Sequence, residues 1–451
     1  MRELTKSAFT LPWALSMMGV QQIVDLVAPP AEGRLAGATA AFDAATRATE
    51  QHLDGWLDQA LEIGASVQRG LAALTAVRPP TLDSSGLMSV ATDRRLSSLV
   101  QATSDYGVAP AAWVDSLRLA PEDRSAALQE LTNKLRVLQI VTQMHDQLDL
   151  DDADDTPLLV LVERAAALDV HQRVWAVEAL GTYAGDRALE QSGGADPQDL
   201  MTDESTASLP PWSLLMLHAG VGIAFARLVL MPLEPTSSSD LVRHAIARFV
   251  ALCRRSSRRG YVGASLEAFG LVARSLHLSL MPLLDREIQR VEPDLRSYFW
   301  HGAGRAMYLD PTHLWPSSNA PRSMMVSLPR EAIDDIAIRN ALAGIAWSTT
   351  AVNLQSPEVM ELALKHHGVL AADTDAFANG IASAIVTQYD TTPDDAHIMS
   401  FMSHEPRTTG GAAAWQSLVT LPCQVAIERT YGELRQSWAL GQLFHYRPGT
   451  A

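Results

Sequence analysis

Two cysteines in 451 residues, Cys253 and Cys423, leave this chain with almost no thiol chemistry. They lie far apart and form no Cys-x-x-Cys, which argues against a disulfide framework and a structural zinc site. Basic residues are the minority: 35 Lys and Arg stand against 51 Asp and Glu, a formal net charge of −16 with no dense Lys/Arg patch. Phosphate-backbone recognition needs such a patch, so no nucleic-acid partner is expected. No Gly-x-Ser-x-Gly, Walker A or His-Glu-x-x-His sequence occurs, so serine hydrolase, P-loop ATPase and zincin readings have no support. The Glu-x-x-His pairs of a di-iron carboxylate bundle are missing as well. Glu361 and His366 are five apart and diverge around a helix. Neither a metal nor a cofactor is expected.

Long apolar runs are also missing. None reaches the roughly 18–20 residues of a membrane span, so no transmembrane segment is expected. At the N-terminus Arg2 and Lys6 precede Ala8–Val20, but Glu3 and Pro12 interrupt the pattern of a secretory leader. No small-x-small cleavage site follows before Pro29-Pro30. With reduced thiols and no leader, the chain reads as cytoplasmic.

What is present is helical text. Hydrophobic residues make up 47% of the chain and mean hydropathy is +0.02, the values of an ordinary globular protein. Alternating Val/Ile/Thr runs are few, whereas Ala/Leu-rich stretches place apolar residues three and four apart, so the fold class is all-α. A length of 451 residues points to two or three subdomains.

A short polar-plus-glycine phrase recurs through the middle of the chain. It runs Glu178-Ala-Leu-Gly181, His218-Ala-Gly-Val-Gly222, Glu267-Ala-Phe-Gly270, His301-Gly-Ala-Gly304-Arg305, Asn340-Ala-Leu-Ala-Gly344 and Asn379-Gly380. From Gly181 the glycines are spaced 41, 48, 34, 40 and 36 residues apart. A period near 40 fits one helical hairpin per repeat, which must stack on its neighbours to bury its apolar face, either as an α/α solenoid or as a closed α/α toroid. Small residues inside the phrases let helices approach closely, and glycine in a helix otherwise costs about 1 kcal/mol against alanine.

Four regions follow. Residues 1–86 form an N-terminal long-helix region. It holds a greasy helix from Thr10 to about Val27 and a seam of Leu53, Trp56, Ala60, Ile63, Val67, Leu71 and Leu74 before the linker Arg78–Gly86. Residues 87–150 are a helical connector, in which Pro121-Glu-Asp opens a helix running to about His145. Residues 151–410 are the helical-repeat domain. Residues 411–451 hold a last helix, from Gly411 to about Phe444, and a tail. Trp415, Leu418, Leu421, Ile427 and Leu434 are the expected buried side of that helix.

Over about residues 160–395 the blocks Arg173-Val-Trp-Ala-Val-Glu178-Ala-Leu-Gly181, Leu217-His-Ala-Gly220-Val-Gly222-Ile-Ala-Phe-Ala-Arg227-Leu228, His301-Gly-Ala-Gly304-Arg305-Ala-Met-Tyr308 and Ala341-Leu-Ala-Gly344-Ile-Ala346 occur in that order. In these blocks the chain resembles an uncharacterised family that occurs in enediyne biosynthesis gene clusters. The family's Gly-Tyr-Gly-Phe-His phrase stands here as Gly260-Tyr-Val-Gly-Ala264, without the histidine. The resemblance implies secondary-metabolite biosynthesis and names no reaction.

The heads of the phrases are the candidate site. Glu178, Glu267 and His301 stand three residues before a repeat glycine, and His218 and Asn340 stand four before. Equivalent positions in stacked repeats face the same side, so these residues are expected to share one concave surface. Glu178, His218, Glu267 and His301 are the candidate catalytic groups, with Arg305, Tyr308 and Asn340 as ligand-binding residues. The bland alternative is that each makes a hydrogen bond to a neighbouring helix end. The function these features suggest is an enzyme or accessory protein that binds a lipophilic polyketide- or terpenoid-like small molecule. A non-catalytic scaffold binding proteins or itself through the N-terminal helices is the alternative. The run Asp149–Asp155 matches the Asp-x-Asp-Asp of class II terpene cyclases, a remoter reading beside that of a solvated acidic linker.

Overall fold

Small residues in mid-helix dictate this architecture, because they remove the side chains that would hold neighbouring helices apart. In the computed structural model, residues 121–148, 150, 156–193, 195–310, 323–367, 374–392 and 396–447 are described, and all belong to one compact unit. They are all-α, with no strand among them. The expectations for residues 1–120 and for the Asp149–Asp155 run lie outside the described residues, apart from Leu150.

The helix opened by Pro121 is α1, Pro121–Gln147, close to its expected span. After α2 (Leu158–Ala166), the six phrases fall on six helices. These are α3 (Val170–Gln191), α4 (Pro211–Leu230), α6 (Val262–Leu276), α8 (Leu295–Leu309), α10 (Asp335–Val352) and α12 (Thr374–Thr391). Between them come α5 (Ser239–Ser256), α7 (Met281–Val291), α9 (Ser323–Glu331) and α11 (Pro357–His367). The phrase helices pack in chain order, each on the next, and α12 also touches α4 and α3.

The contacts run through the phrases. A methyl group on Gly181 would lie 2.1 Å from the Leu217 carbonyl oxygen, and one on Gly222 would lie 2.2 Å from that of Ser265. Gly270 stands in the same relation to Phe299, Gly304 to Ala341 and Gly380 to Ala343. One turn beyond Gly181, Gly185 faces Val221 and Ala224, so α3 and α4 run parallel. The intervening helices are amphipathic: α5 buries Val242, Ala245, Ile246, Phe249 and Cys253 and turns Arg243, Arg254 and Arg255 outward. Both cysteines are buried free thiols whose pKa burial raises.

Two expectations need correction. First, one apolar run does reach the length of a membrane span: α4 has 20 residues and contains an 18-residue window with a mean hydropathy of 1.8. Its apolar window is 83% buried against other helices, and it is the one described helix that passes the test. Second, the last helix starts at Thr409 and gives way at Gln436, with wide π-helical turns at Gln416–Thr420 and Ala426–Thr430. Those turns rotate the buried face, so Val419, Cys423 and Ala426 point inward while Leu421 is 49% exposed. Pro422, which lacks an N–H, sits between the two turns. A 3₁₀ turn, Leu440–Phe444, then docks on α6, and Gly441 N–H donates to the Gly260 carbonyl just before that helix at 2.7 Å.

Candidate functional site

Three helices bring four of the predicted residues together. On α8, His301, Arg305 and Tyr308 follow at i, i+4 and i+7 and so share one face. Arg305 reaches both glutamates: Nη1 donates to Glu267 Oε2 on α6 at 2.9 Å. Its Nη2 donates to Glu178 Oε1 and Oε2 on α3, at 2.9 and 3.2 Å. His301 Nδ1 lies 3.0 Å from Glu267 Oε1. The guanidinium also lies over the Trp347 ring, 4.3 Å from its centroid, with Phe444 of the 3₁₀ turn at 5.9 Å.

Every member of this cluster is buried. Burial raises the pKa of Glu178, against the opposing pull of Arg305. It lowers that of His301 despite the bond to Glu267, so the imidazole is neutral and Nδ1–H donates to the carboxylate. Burial works against the charge on Arg305, but the two carboxylates overcome it and raise its pKa. His301 Nε2 and Arg305 Nε have no hydrogen-bond partner among the described residues.

The remaining predicted residues do not join them. His218 is sealed by backbone: Nδ1 donates to the Leu214 carbonyl at 2.6 Å and Nε2 accepts from Arg258 N–H at 3.0 Å. Its ring stacks on Tyr261, and burial lowers its pKa to about 4. Asn340 donates to the Ile336 carbonyl and accepts from Tyr446 N–H, which ties down the C-terminal segment. The cause is register. Glu178, Glu267 and His301 precede their contact glycines by three residues and converge. His218 precedes Gly222 by four, and one residue turns a side chain by about 100° around a helix, whereas the glycine after Asn340, Gly344, packs on His301 of the preceding helix and not on the following one.

Tyr308 belongs to a second buried cluster, which the sequence reading missed. Its hydroxyl donates to Glu130 Oε1 at 2.9 Å and accepts from Asn353 Nδ2 at 2.6 Å. Lys134 Nζ lies 4.0 Å from the Tyr308 ring centroid and 3.2 Å from Glu130 Oε1. Glu130 and Lys134 are four apart on α1, the spacing of an ordinary surface pair, and nothing local announces their burial.

Beside the first cluster lies a cavity of about 60 Å³. Val137, Trp175, Ala179, Leu271, Val272 and Leu309 form its apolar walls, and Glu178 and Arg305 are its buried charged groups. Val141, Ile223, Arg227 and Leu276 are half-buried at its rim, so it reaches the surface. Arg227 is held in a close ion pair by Asp186. The volume has room for about four waters or one small organic group. Among the described residues, no cluster of three or more His, Cys, Asp or Glu is placed to hold a metal. Compared with family models, curated proteins and solved structures, the chain matches none.

Proposed function

We propose that the helical repeats form the pocket-bearing part of a secondary-metabolite enzyme or accessory protein, and that this cavity holds one end of a lipophilic intermediate. The carrying observation is the cavity itself, in which apolar walls from α1, α3, α4, α6 and α8 surround a buried carboxylate already joined to Arg305. Sites for small molecules have this composition: mostly apolar lining with a few placed polar groups that fix orientation. The enclosed part accepts a group of a few heavy atoms, so the rest of a larger molecule passes the rim at Ile223 and Leu276. The contact of α12 with α3 and α4 supports a closed ring of phrase helices over an open solenoid. Within the pocket Glu178 is the acid–base group, since its raised pKa and its place at the cavity suit proton exchange with a bound molecule. The link to secondary metabolism rests on the resemblance of the phrase blocks alone.

Native mass spectrometry of the purified chain tests this reading. A small molecule released on unfolding, and absent from a variant whose cavity is filled by Ala179→Trp, is the expected result. A chain that carries and takes up no small molecule would leave the scaffold reading in its place.

A further inference from the structure

Glu178 has hydrogen-bonding capacity left over. An ionised carboxylate offers about four acceptor sites. Both oxygens of Glu178 reach the same nitrogen, Arg305 Nη2, which is their only hydrogen-bond partner among the described residues. That nitrogen's guanidinium is shared with Glu267. The second cation at the cavity, Arg227, is engaged by Asp186, whose pKa burial raises against the opposing pull of Arg227. His301 is neutral. Glu178 is the carboxylate that lines the cavity, and it holds only a share of one guanidinium, because Arg305 also serves Glu267.

The walls are suited to carry a positive charge in. Trp175 supplies an aromatic surface beside Glu178, and Val137, Leu271, Val272 and Ile223 cover an apolar body. We infer that the cavity recognises an apolar amine, whose ammonium lies on the unused acceptor sites of Glu178 while the hydrocarbon next to it fills the enclosed volume. This rests on the pocket reading above and gives it a ligand class. A carboxylate in the same place would set a second negative charge beside Glu178 in a low-dielectric site. An alcohol would bring no positive charge to Glu178. The ammonium also favours the ionised form of Glu178 against the burial that raises its pKa, so amine preference grows as pH rises through that raised value.

Calorimetric titration of the full chain with isopentylamine, isopentanol and isovalerate at pH 8 separates the possibilities, because the three share one carbon skeleton and differ in charge. The amine is expected to bind at least tenfold more tightly than the alcohol, with no binding of the acid. In Glu178→Gln the amine preference disappears and alcohol binding remains, which also reports that the variant's pocket is intact. The comparison within the unaltered chain stands whether or not the variant folds, and its loss of amine preference at acidic pH is a second expected result. Equal affinity for amine and alcohol, or tightest binding of the acid, overturns the amine assignment and leaves the pocket. Amine preference that survives in Glu178→Gln overturns it too. Failure of all three to bind removes the pocket reading along with it.

Discussion

Replacing a helical glycine by alanine normally stabilises a helix by about 0.5–1 kcal/mol, because alanine loses less backbone entropy on folding. Gly304 should do the opposite. Its new Cβ would lie 2.0 Å from the Ala341 carbonyl oxygen, against an ordinary contact of 3.4 Å or more, and the obstacle is backbone that cannot rotate away. Helices α8 and α10 must therefore part by more than an ångström. A reciprocal contact constrains them at the same place, since a methyl on Gly344 would lie 2.0 Å from the His301 carbonyl oxygen. Forced overpacking of this kind costs about 1–3 kcal/mol, enough to outweigh the helix gain. Gly432 supplies the control: it is also helical, and nothing lies within 4 Å of where its Cβ would be. Urea unfolding followed by far-ultraviolet circular dichroism should show a lower midpoint for Gly304→Ala and a slightly higher one for Gly432→Ala, with slopes unchanged. If both alanines stabilise alike, or if Gly222→Leu and Gly304→Leu both unfold near the wild-type temperature, the helices are not held by these close approaches.

The other predictions concern charge. Arg305→Met strands two buried carboxylates and should cost about 3–5 kcal/mol, with much of the loss recovered when Glu178→Gln and Glu267→Gln are added; an unaffected melting temperature would contradict the cluster. His218, neutral when folded with a pKa near 4 against 6.5 when free, contributes about 3 kcal/mol above pH 6.5 that is lost as pH falls towards 4. His218→Gln should flatten that part of the stability profile, and an unchanged profile would refute it. Asp390 has the opposite sign: burial raises its pKa to about 6, so its ionisation removes stability as pH rises from about 4 to 6. Asp390→Asn, which still accepts from the Tyr431 hydroxyl, should therefore stabilise at pH 8 and be neutral near pH 4. Limited proteolysis should cut within Arg78–Gly86 or Asp149–Asp155, and resistance of both segments would disprove the boundaries placed there.

How far the site could be read from the sequence turns on helix geometry. The phrase glycines were legible because close helix approach leaves a local signature, a small residue at a fixed place in each repeat. Glu178, Glu267 and His301 were legible because they share the offset of three residues from those glycines, which fixes their direction around the helix. An offset of four looks equivalent in a list of phrases, yet it rotates His218 out of the cluster and into backbone hydrogen bonds, while Asn340 is counted from a glycine that packs on the preceding helix. The face of the C-terminal helix failed for a related reason: two π turns break the 3.6-residue period on which the choice of Leu421 rested. Trp347 and Phe444 could not be found at all. Their role is to lie against Arg305, and contacts between residues 42 and 139 positions apart leave no periodic trace in either segment. These aromatic contacts matter for the cluster, since they place a polarisable surface beside a guanidinium that burial would otherwise penalise. The sequence thus announces the charged residues that converge, while the apolar surroundings that set their protonation come from packing between distant parts of the chain.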